Sequence, residues 1–388
     1  YSVLEGALRS DDTVYMTDAL RALGVEIRED AERRTLTVRG CGGRLPKAEA
    51  RVFIGNAGTA ARFLPPVMAL GRGTYRLEGS EAMRRRPIQP LLDALAALGA
   101  KAVSLEGNGC PPIQVEANGL RGGTARLPGG VSSQYFTGLL MAGPYAREGV
   151  TLEVEGELVS KPYLEVTAQA MRAFGVTLER EGFSLFRVAS GPGYRATQYP
   201  VEPDASAASY FFAAAAVTGG TVAVPGLGSD SLQGDLRFVQ LLERMGCRVR
   251  QTARETEVTG PQQLRGIEAN MADLSDTAQT LAAVAPFAEG PTRVTGIGFI
   301  RRKETNRVAA VVTELKRLGI RAEEEPDGFV IYPGLPQPGR VETYQDHRMA
   351  MSFAVIGLRA PGVAILDPGC VSKTFPDFFQ VLETLREA

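Results

Sequence analysis

The sequence predicts an α/β (α+β) protein of two similar domains, because two independent markers recur about every 73 residues. The first marker is a helix end, in which apolar residues at helical spacing precede a glycine and a β-rich run. It occurs as ALRALGVEI, ALAALGAKA, AMRAFGVTL, LLERMGCRV and ELKRLGIRA, with glycines 75, 76, 71 and 73 residues apart at Gly24, Gly99, Gly175, Gly246 and Gly319. Just past a helix end, the left-handed conformation is accessible at low cost only to glycine, so each glycine indicates a helix followed by a strand.

The second marker is a group of small polar residues before a long apolar helix. Its equivalent positions are 74, 73, 71 and 71 residues apart, at Thr59, Ser133, Ser206, Thr277 and Arg348. Ser, Asp, Asn and Thr are good N-cap residues. Each repeat is therefore predicted to contain, in order, a strand, a buried helix, a strand, an amphipathic helix and further strands. Chance recurrence of helix ends does not explain two markers with one period, and the period is too long for a simple solenoid.

The period predicts that the first repeat is incomplete. Only 23 residues precede Gly24, and a full repeat needs about 50 more before that glycine. At the other end, VLETLREA is similar to a sixth helix end. We therefore expect the first repeat to lack its front half.

Composition excludes several classes of function. The formal net charge of −1 does not favour nucleic acid or an anionic membrane as a partner. Four widely spaced cysteines and a single histidine argue against a disulfide framework and a zinc site. We expect no membrane span and no secretory signal, and therefore a cytoplasmic protein.

The predicted helix starts favour anions. Backbone N–H groups and the helix dipole attract negative charge at each start. Either these starts are ordinary caps that face solvent, or several of them point into one cleft. Charged residues beside the caps favour the cleft.

The motifs resemble those of the 5-enolpyruvylshikimate-3-phosphate synthase family, in family order over nearly the whole chain. They are IGNAGTAAR (54–62), RRRPI (84–88), VSSQYFTGLLM (131–141), VSKPYLEVT (159–167), DASAASYF (204–211), LSDTAQTLA (274–282), RRKETNR (301–307), TYQDHRMAM (343–351) and DPGCVSKTFPDFF (367–379). The resemblance implies a transferase of the shikimate pathway of aromatic amino-acid biosynthesis. Its reaction moves the enolpyruvyl group of phosphoenolpyruvate to the 5-hydroxyl of shikimate 3-phosphate and releases phosphate by addition and elimination.

The same resemblance implies the architecture and the ligands. It implies two domains of three βαβαββ repeats each, the enolpyruvyl transferase inverse barrel. Residues 1–201 would bind shikimate 3-phosphate, residues 202–388 would be the catalytic phosphoenolpyruvate domain, and the active site would lie in the cleft between them. The family needs no cofactor or metal, is usually monomeric and is the target of glyphosate. The partners expected are the two small-molecule substrates, with neither nucleic acid nor membrane.

Residues for shikimate 3-phosphate follow from the motif matches. Its phosphate needs neutral donors and cations, and hydroxyls at helix starts suit phosphate oxygens. The matching residues are Ser132, Ser133, Gln134, Ser160, Tyr163, Asp276 and Lys303. The alternative is that the serines are plain caps and turn residues.

Phosphoenolpyruvate carries a carboxylate and a phosphate, which planar arginine forks bind in bidentate fashion. The matching residues are Gly58, Thr59, Arg86, Gln134, Arg307, His347, Arg348 and Lys373. The alternative is that the arginines are surface charges and the histidine a core or capping residue. The chain has only six lysines, and three of them, Lys161, Lys303 and Lys373, fall inside these motifs.

The chemistry requires a base near the hydroxyl and an acid near C3 of phosphoenolpyruvate. Asp276 matches the residue at the 5-hydroxyl, Glu304 matches the proton donor, and Lys303 matches the lysine that stabilises developing charge. The division of acid and base roles among the three stays open at this point.

The chain departs from the family pattern in several places. The family's lysine-serine loop, of the GSKS type, would precede Tyr1, so a chain that truly starts there is expected to have little or no activity. Asn306 replaces an aspartate, Phe299 lies where some members have asparagine, and Phe63 lies where many have proline. These differences affect fine substrate contacts and the response to inhibitors.

Three other functions compete with this prediction. A related enolpyruvyl transferase acting on a UDP-sugar uses a reactive cysteine on a mobile loop, and no cysteine here lies in such a motif. A noncatalytic fragment that needs a separate amino-terminal piece is a second possibility. A nucleic-acid-binding repeat protein is disfavoured by the net charge and by the lack of a basic patch with aromatic residues.

Overall fold

A computed structural model describes residues 1–385. The chain divides into two compact units, Tyr1–Val201 and Glu202–Ala388. Each unit has its own hydrophobic core. No helix among residues 1–385 combines the length and apolar character needed to cross a membrane.

The first unit alternates strands and helices. Its strands are β1 (Ser2–Glu5), β2 (Glu26–Asp30), β3 (Thr35–Arg39), β4 (Glu49–Phe53), β5 (Arg72–Glu78), β6 (Lys101–Ser104), β7 (Ile113–Asn118), β8 (Gly123–Pro128), β9 (Val150–Glu155), β10 (Glu179–Glu181), β11 (Leu185–Val188) and β12 (Gln198–Pro200). Its helices are α1 (Asp11–Ala22), α2 (Gly58–Ala69), α3 (Gln89–Ala97), α4 (Ser133–Ala142) and α5 (Pro162–Ala173). The strands of this unit form three four-stranded sheets, in the orders β12-β1-β3-β2, β4-β5-β7-β6 and β10-β11-β9-β8.

The second unit repeats this alternation. Its strands are β13 (Thr221–Pro225), β14 (Arg248–Gln251), β15 (Glu255–Thr259), β16 (Leu264–Arg265), β17 (Glu268–Asn270), β18 (Ala288–Glu289), β19 (Thr292–Thr295), β20 (Ala322–Glu325), β21 (Gly328–Ile331), β22 (Gly339–Val341) and β23 (Val363–Ile365). Its helices are α6 (Ala205–Thr218), α7 (Phe238–Arg244), α8 (Ala278–Val284), α9 (Arg307–Arg317), α10 (His347–Gly357) and α11 (Phe378–Thr384). The sheets have the orders β13-β15-β14, β17-β19-β21-β20, β22-β23 and β16-β18.

Both sequence markers are confirmed. The helix-end glycines all have positive φ, between +77° at Gly319 and +107° at Gly246. The polar markers all lie within two residues of the start of a buried helix. The order β4-α2-β5-α3-β6-β7 shows the predicted βαβαββ unit once in full, and β8-α4-β9-α5-β10-β11 shows it again. The predicted sixth helix end corresponds to α11, and its residues 386–388 lie outside the described part.

The helix that opens each repeat is buried on nearly every side, because its sequence is apolar all round. Helix α6, ASAASYFFAAAAVT, begins at the N-cap Asp204, whose side chain accepts from the amides of Ser206 and Ala207, and ends at Gly219. It packs with α8 and α10 in the core of the second unit. The helices that come later in the repeat are amphipathic, as α9 shows with its buried Val308, Val311 and Leu315.

Candidate active site

The predicted site residues of the first unit follow the carboxyl ends of parallel strands. Strand β4 pairs in parallel with β5, and β8 pairs in parallel with β9. The chain after β4 carries Gly58 and Thr59, and the chain after β5 carries Arg86. Because parallel strands end at the same edge of a sheet, these loops are brought together.

Arg86 is a buried cation held against the start of α2. Its Nη1 donates to the backbone oxygen of Asn56 at 3.3 Å and to the side-chain oxygen of the same residue at 3.2 Å. Its guanidinium lies so close to Gly58 that a Cβ on that glycine would be 2.7 Å from Nη2. A side chain at Gly58 would therefore meet this guanidinium.

A second buried arginine, Arg62, supports the same region. Its Nη1 donates to the carbonyl of Gly58 at 3.0 Å, and its guanidinium carbon lies 5.9 Å from the ring centroid of Tyr135. The hydroxyl of Tyr135 donates to the carbonyl of Pro87 at 2.7 Å, one residue beyond Arg86. The site thus has a buried framework that sequence reasoning did not identify.

The serine pair lies at the start of α4. Ser132 is the N-cap, and its hydroxyl accepts from the amide of Gln134 at 3.3 Å. Ser133 is buried. The side-chain nitrogen of Gln134 donates to the hydroxyl of Thr59 at 3.2 Å, which connects two repeats of this unit.

Ser160 belongs to the loop after β9. Val159 donates its amide to the carbonyl of Gly129 at 3.1 Å, which places this loop beside the one leading to Ser132. Ser160 is buried with φ +54°, an uncommon conformation for a residue with a side chain. Tyr163, in the first turn of α5, is about one-third exposed at 36%.

The second unit uses the same geometry. Strand β17 pairs in parallel with β19, and β22 with β23. The chain after β17 leads to Asp276, and the chain after β19 leads to Lys303 and Glu304. In the next repeat, the chain after β22 leads to Arg348 and the chain after β23 to Lys373.

Arg307 is the centre of this group, with a side chain only 2% exposed. Its Nη1 donates to Asp276 at 3.1 Å and its Nη2 to Glu304 at 2.7 Å. Its Nε donates to Asp346 at 2.7 Å, and Nη2 approaches the other oxygen of that carboxylate at 3.3 Å. One buried guanidinium therefore fixes the positions of three carboxylates.

Other cations surround the same carboxylates. Arg348 donates through Nη2 to Asp276 at 2.8 Å and through Nη1 to the hydroxyl of Tyr210 at 3.3 Å. The Nζ of Lys373 lies 3.8 Å from Glu304. The Nζ atom of Lys303 lies 5.9 Å from the ring centroid of Phe299.

Electrostatics set the protonation states. Burial raises the pKa of Asp276, but Arg348, Lys303 and Arg307 outweigh it and hold this pKa below its ordinary value. Burial lowers the pKa of His347 well below its ordinary value, and the neighbouring Arg348 and Lys373 lower it further. Asp276 is therefore ionised and His347 neutral near pH 7.

The structure brings the predicted residues together as two sets. The first unit gathers Gly58, Thr59, Arg86, Ser132, Ser133 and Gln134, with the Ser160 and Tyr163 loop alongside. The second unit gathers Asp276, Lys303, Glu304, Arg307, His347, Arg348 and Lys373. The individual roles given to these residues stay predictions.

Sequence reasoning missed Asp346, which is fully buried and binds Arg307 while its side chain caps α10 through the amide of Arg348. The sequence signal that could have identified Asp346 is its position directly before the start of α10, where aspartate is a favoured N-cap residue. It also missed Asn56 and Arg62, whose partners only the fold reveals.

Comparison with known proteins gives one consistent result. A family model for EPSP synthase (3-phosphoshikimate 1-carboxyvinyltransferase) matches residues 1–382. The 3-phosphoshikimate 1-carboxyvinyltransferase of Nostoc punctiforme is 48% identical over 98% of this chain and 91% of its own. The chloroplastic enzyme of the same name from Brassica napus is 44% identical over 100% of this chain and 78% of its own.

Solved structures agree in fold. An EPSP synthase from Acinetobacter baumannii has a TM-score of 0.81 at 26% identity, covering 99% of this chain and 89% of its own. The enolpyruvyl transferase NikO from Streptomyces tendae has a TM-score of 0.77 at 21% identity, covering 99% of this chain and 88% of its own. The second likeness is one of fold alone.

Proposed function

Because the chain belongs to the EPSP synthase family, it is a transferase that moves the enolpyruvyl group of phosphoenolpyruvate to shikimate 3-phosphate, and we propose that the two residue sets described above carry out this transfer. The reaction is a step of the shikimate pathway. The proposal assigns the chemistry to Asp276, Glu304 and Lys303.

The observation that carries this assignment is the shared guanidinium of Arg307. It binds Asp276 and Glu304 through its two terminal nitrogens, at 3.1 and 2.7 Å. Addition needs one carboxylate at the attacking hydroxyl and one carboxyl group at C3. A rigid, buried fork that holds both supports a fixed arrangement of the two groups.

In the addition step, the 5-hydroxyl oxygen forms a bond to C2 while C3 gains a proton from Glu304, which enters the step in its carboxylic acid form. Asp276 accepts the hydroxyl proton, and because cations lower its pKa it does so only as the new C–O bond forms. Lys303 stabilises the negative charge that develops. The product of this step is a tetrahedral intermediate with a C3 methyl group.

In the elimination step, C3 returns its proton to Glu304 and the C2–O bond to phosphate breaks. The electron pair of that bond leaves with the phosphate, which also takes the proton that came from the hydroxyl. Arg86, Arg348 and Lys373 supply positive charge for the leaving phosphate. His347, neutral and buried, lies beside Arg348 and Lys373 without adding to their charge.

Substrate binding is assigned by the chemistry of the donors. Ser132, Ser133 and Ser160 offer hydroxyls and helix-start amides for the phosphate of shikimate 3-phosphate, beside Gln134 and Tyr163. Phosphoenolpyruvate binds the arginines, with Gly58 and Thr59 at the start of α2. That both sets act on the same pair of substrates in one cleft stays a prediction.

The test is a phosphate-release assay with both substrates on the purified protein and the variants Asp276→Asn and Glu304→Gln. Each variant is expected to lower kcat by roughly 10²–10⁴ fold, the usual contribution of a general acid or base. Glu243→Gln is the matched control, because it neutralises an exposed carboxylate of the same unit. Variants with kcat within threefold of this control would rule out the assigned roles.

Binding separates loss of chemistry from loss of substrate. Calorimetric titration of shikimate 3-phosphate, with and without phosphoenolpyruvate, is expected to show affinity retained in Glu304→Gln. The cytoplasmic location, the monomeric state and the lack of a nucleic-acid partner stay predictions.

A further inference from the structure

The segment between β22 and α10 contains two consecutive residues in a strained conformation. Tyr344 has φ +55° and Gln345 has φ +56°, and neither is glycine. Such left-handed residues cost free energy and persist only when the surroundings hold them. They lie directly before Asp346, His347 and Arg348, so the turn sets where α10 begins.

A buried carboxylate holds this turn from a neighbouring helix. Glu314 of α9 is fully buried. Its Oε1 accepts from the hydroxyl of Tyr344 at 2.6 Å, and its Oε2 accepts from the backbone amide of Glu342 at 3.0 Å. Arg317 completes the group with Nη1 at 2.9 Å from Oε1, and its own side chain is 54% exposed.

The other end of the turn is held by the same helix. Arg307, two turns before Glu314 on α9, binds Asp346, and the amide of Asp346 donates to the carbonyl of Thr343 at 2.8 Å. Residues 307 and 314 are seven apart and so lie on one face of the helix. Helix α9 therefore binds both ends of the strained turn, through the cation of Arg307 and the carboxylate of Glu314.

We propose that Glu314 is a positioning residue for the transfer reaction, acting through the hydroxyl of Tyr344 and the turn 344–345 to fix Asp346, His347 and Arg348. The inference rests on the proposed function, in which His347 and Arg348 bind phosphoenolpyruvate. Without the Glu314 anchor the turn relaxes from its left-handed conformation, and the first residues of α10 lose their fixed position relative to Arg307. Affinity for phosphoenolpyruvate falls as a result.

The test uses two variants of the anchor and one matched control. Tyr344→Phe removes only the hydroxyl and leaves the partly buried ring packed against the core. Glu314→Gln keeps one acceptor oxygen for the amide of Glu342 and turns an NH2 donor toward the hydroxyl of Tyr344, so that hydroxyl loses its charged acceptor. Arg317→Met removes the exposed partner of the same carboxylate and leaves the turn contacts in place.

Tyr344→Phe and Glu314→Gln are expected to raise KM for phosphoenolpyruvate about tenfold, or about 1.4 kcal/mol of binding, and to lower kcat less than threefold. Arg317→Met is expected to leave both constants unchanged. The shift in unfolding temperature produced by phosphoenolpyruvate gives a readout independent of turnover. This shift in unfolding temperature is expected to be smaller in Tyr344→Phe and Glu314→Gln and to be unchanged in Arg317→Met.

A purely structural role would lower the unfolding temperature of Tyr344→Phe and Glu314→Gln but leave KM for phosphoenolpyruvate within twofold of Arg317→Met. That result would overturn the proposal. Arg348→Ala separates this failure from a failure of the proposed function. If Arg348→Ala also leaves KM unchanged, then the assignment of the phosphoenolpyruvate site is wrong, and Glu314 has no bound ligand to position.

Discussion

The Nη2 atom of Arg86 lies 2.7 Å from the position that a Cβ atom on Gly58 would occupy. No real Cβ sits at that distance from a heavy atom, so a side chain at Gly58 must displace the guanidinium. Arg86 is buried and anchored at Asn56, so the displaced group would leave two hydrogen bonds behind. The backbone of Gly58 lies in the first turn of α2 and does not itself need glycine.

We therefore expect Gly58→Ala to fold normally and to weaken phosphoenolpyruvate binding. Displacing one charged hydrogen-bonding partner by an ångström raises KM for phosphoenolpyruvate by roughly tenfold to a hundredfold, equivalent to about 1.4–3 kcal/mol. KM for shikimate 3-phosphate is expected to change less than threefold. Steady-state kinetics, with each substrate varied in turn, measures both KM values.

The matched control is Gly40→Ala, because a Cβ at that glycine meets no atom within 4 Å. The interpretation fails if Gly58→Ala and Gly40→Ala have the same KM for phosphoenolpyruvate. It also fails if Gly58→Ala raises both KM values equally, since the effect would then not be specific to Arg86.

The repeat, the helix starts and the helix-end glycines could all be predicted from the sequence because each is a local property of the chain. Gly24 and Gly319 show this, since a positive φ after a helix depends on a few neighbouring residues. The framework behind the site could not be predicted in this way. Asp346 binds a partner 39 residues away, and Asn56 binds one 30 residues away. Such contacts depend on which strands pair, so their identity follows from the fold.

His347 provides a direct check on the electrostatics of the second unit. Burial, reinforced by Arg348 and Lys373, holds its pKa well below the ordinary value. The chain has one histidine, so a spectrum of the protein contains a single imidazole. We expect the Cε1–H resonance of this ring to stay constant from pH 8.5 to 5.5 in the folded protein. In urea the same resonance should titrate near the ordinary pKa of about 6.5.

The same shift makes stability depend on pH with a definite sign. Above about pH 6.5 the imidazole is neutral in both states, and the contribution of His347 to stability is fully present. Below that pH the unfolded chain takes up a proton that the native chain does not, so the free energy of unfolding decreases as pH falls. His347→Gln should make urea midpoints between pH 6.5 and 5 less dependent on pH. A folded-state titration near pH 6.5 would contradict both expectations.

A chain of buried hydroxyls joins the three core helices of the second unit. Thr280 of α8 lies 3.1 Å from the hydroxyl of Ser209 on α6 and 3.4 Å from that of Ser352 on α10. The three positions are 71 and 72 residues apart, so they lie within one residue of equivalent places in successive repeats. All three are buried. The polar contacts of the core thus follow the period of the sequence.

We expect Thr280→Val to destabilise the protein by roughly 1–3 kcal/mol, because the isosteric side chain removes a buried hydroxyl that contacts both Ser209 and Ser352. Ser209 keeps its bond to the carbonyl of Ser206. The triple variant Ser209→Ala, Thr280→Val and Ser352→Ala removes all three polar groups together. It should therefore lose less stability than the sum of the three single variants, with the difference measured from urea unfolding of each. Because none of the three binds a charged residue of the site, KM for both substrates should stay within twofold. If the losses are additive, then the three hydroxyls do not act as one hydrogen-bonded chain, and each is stabilised by its own helix alone.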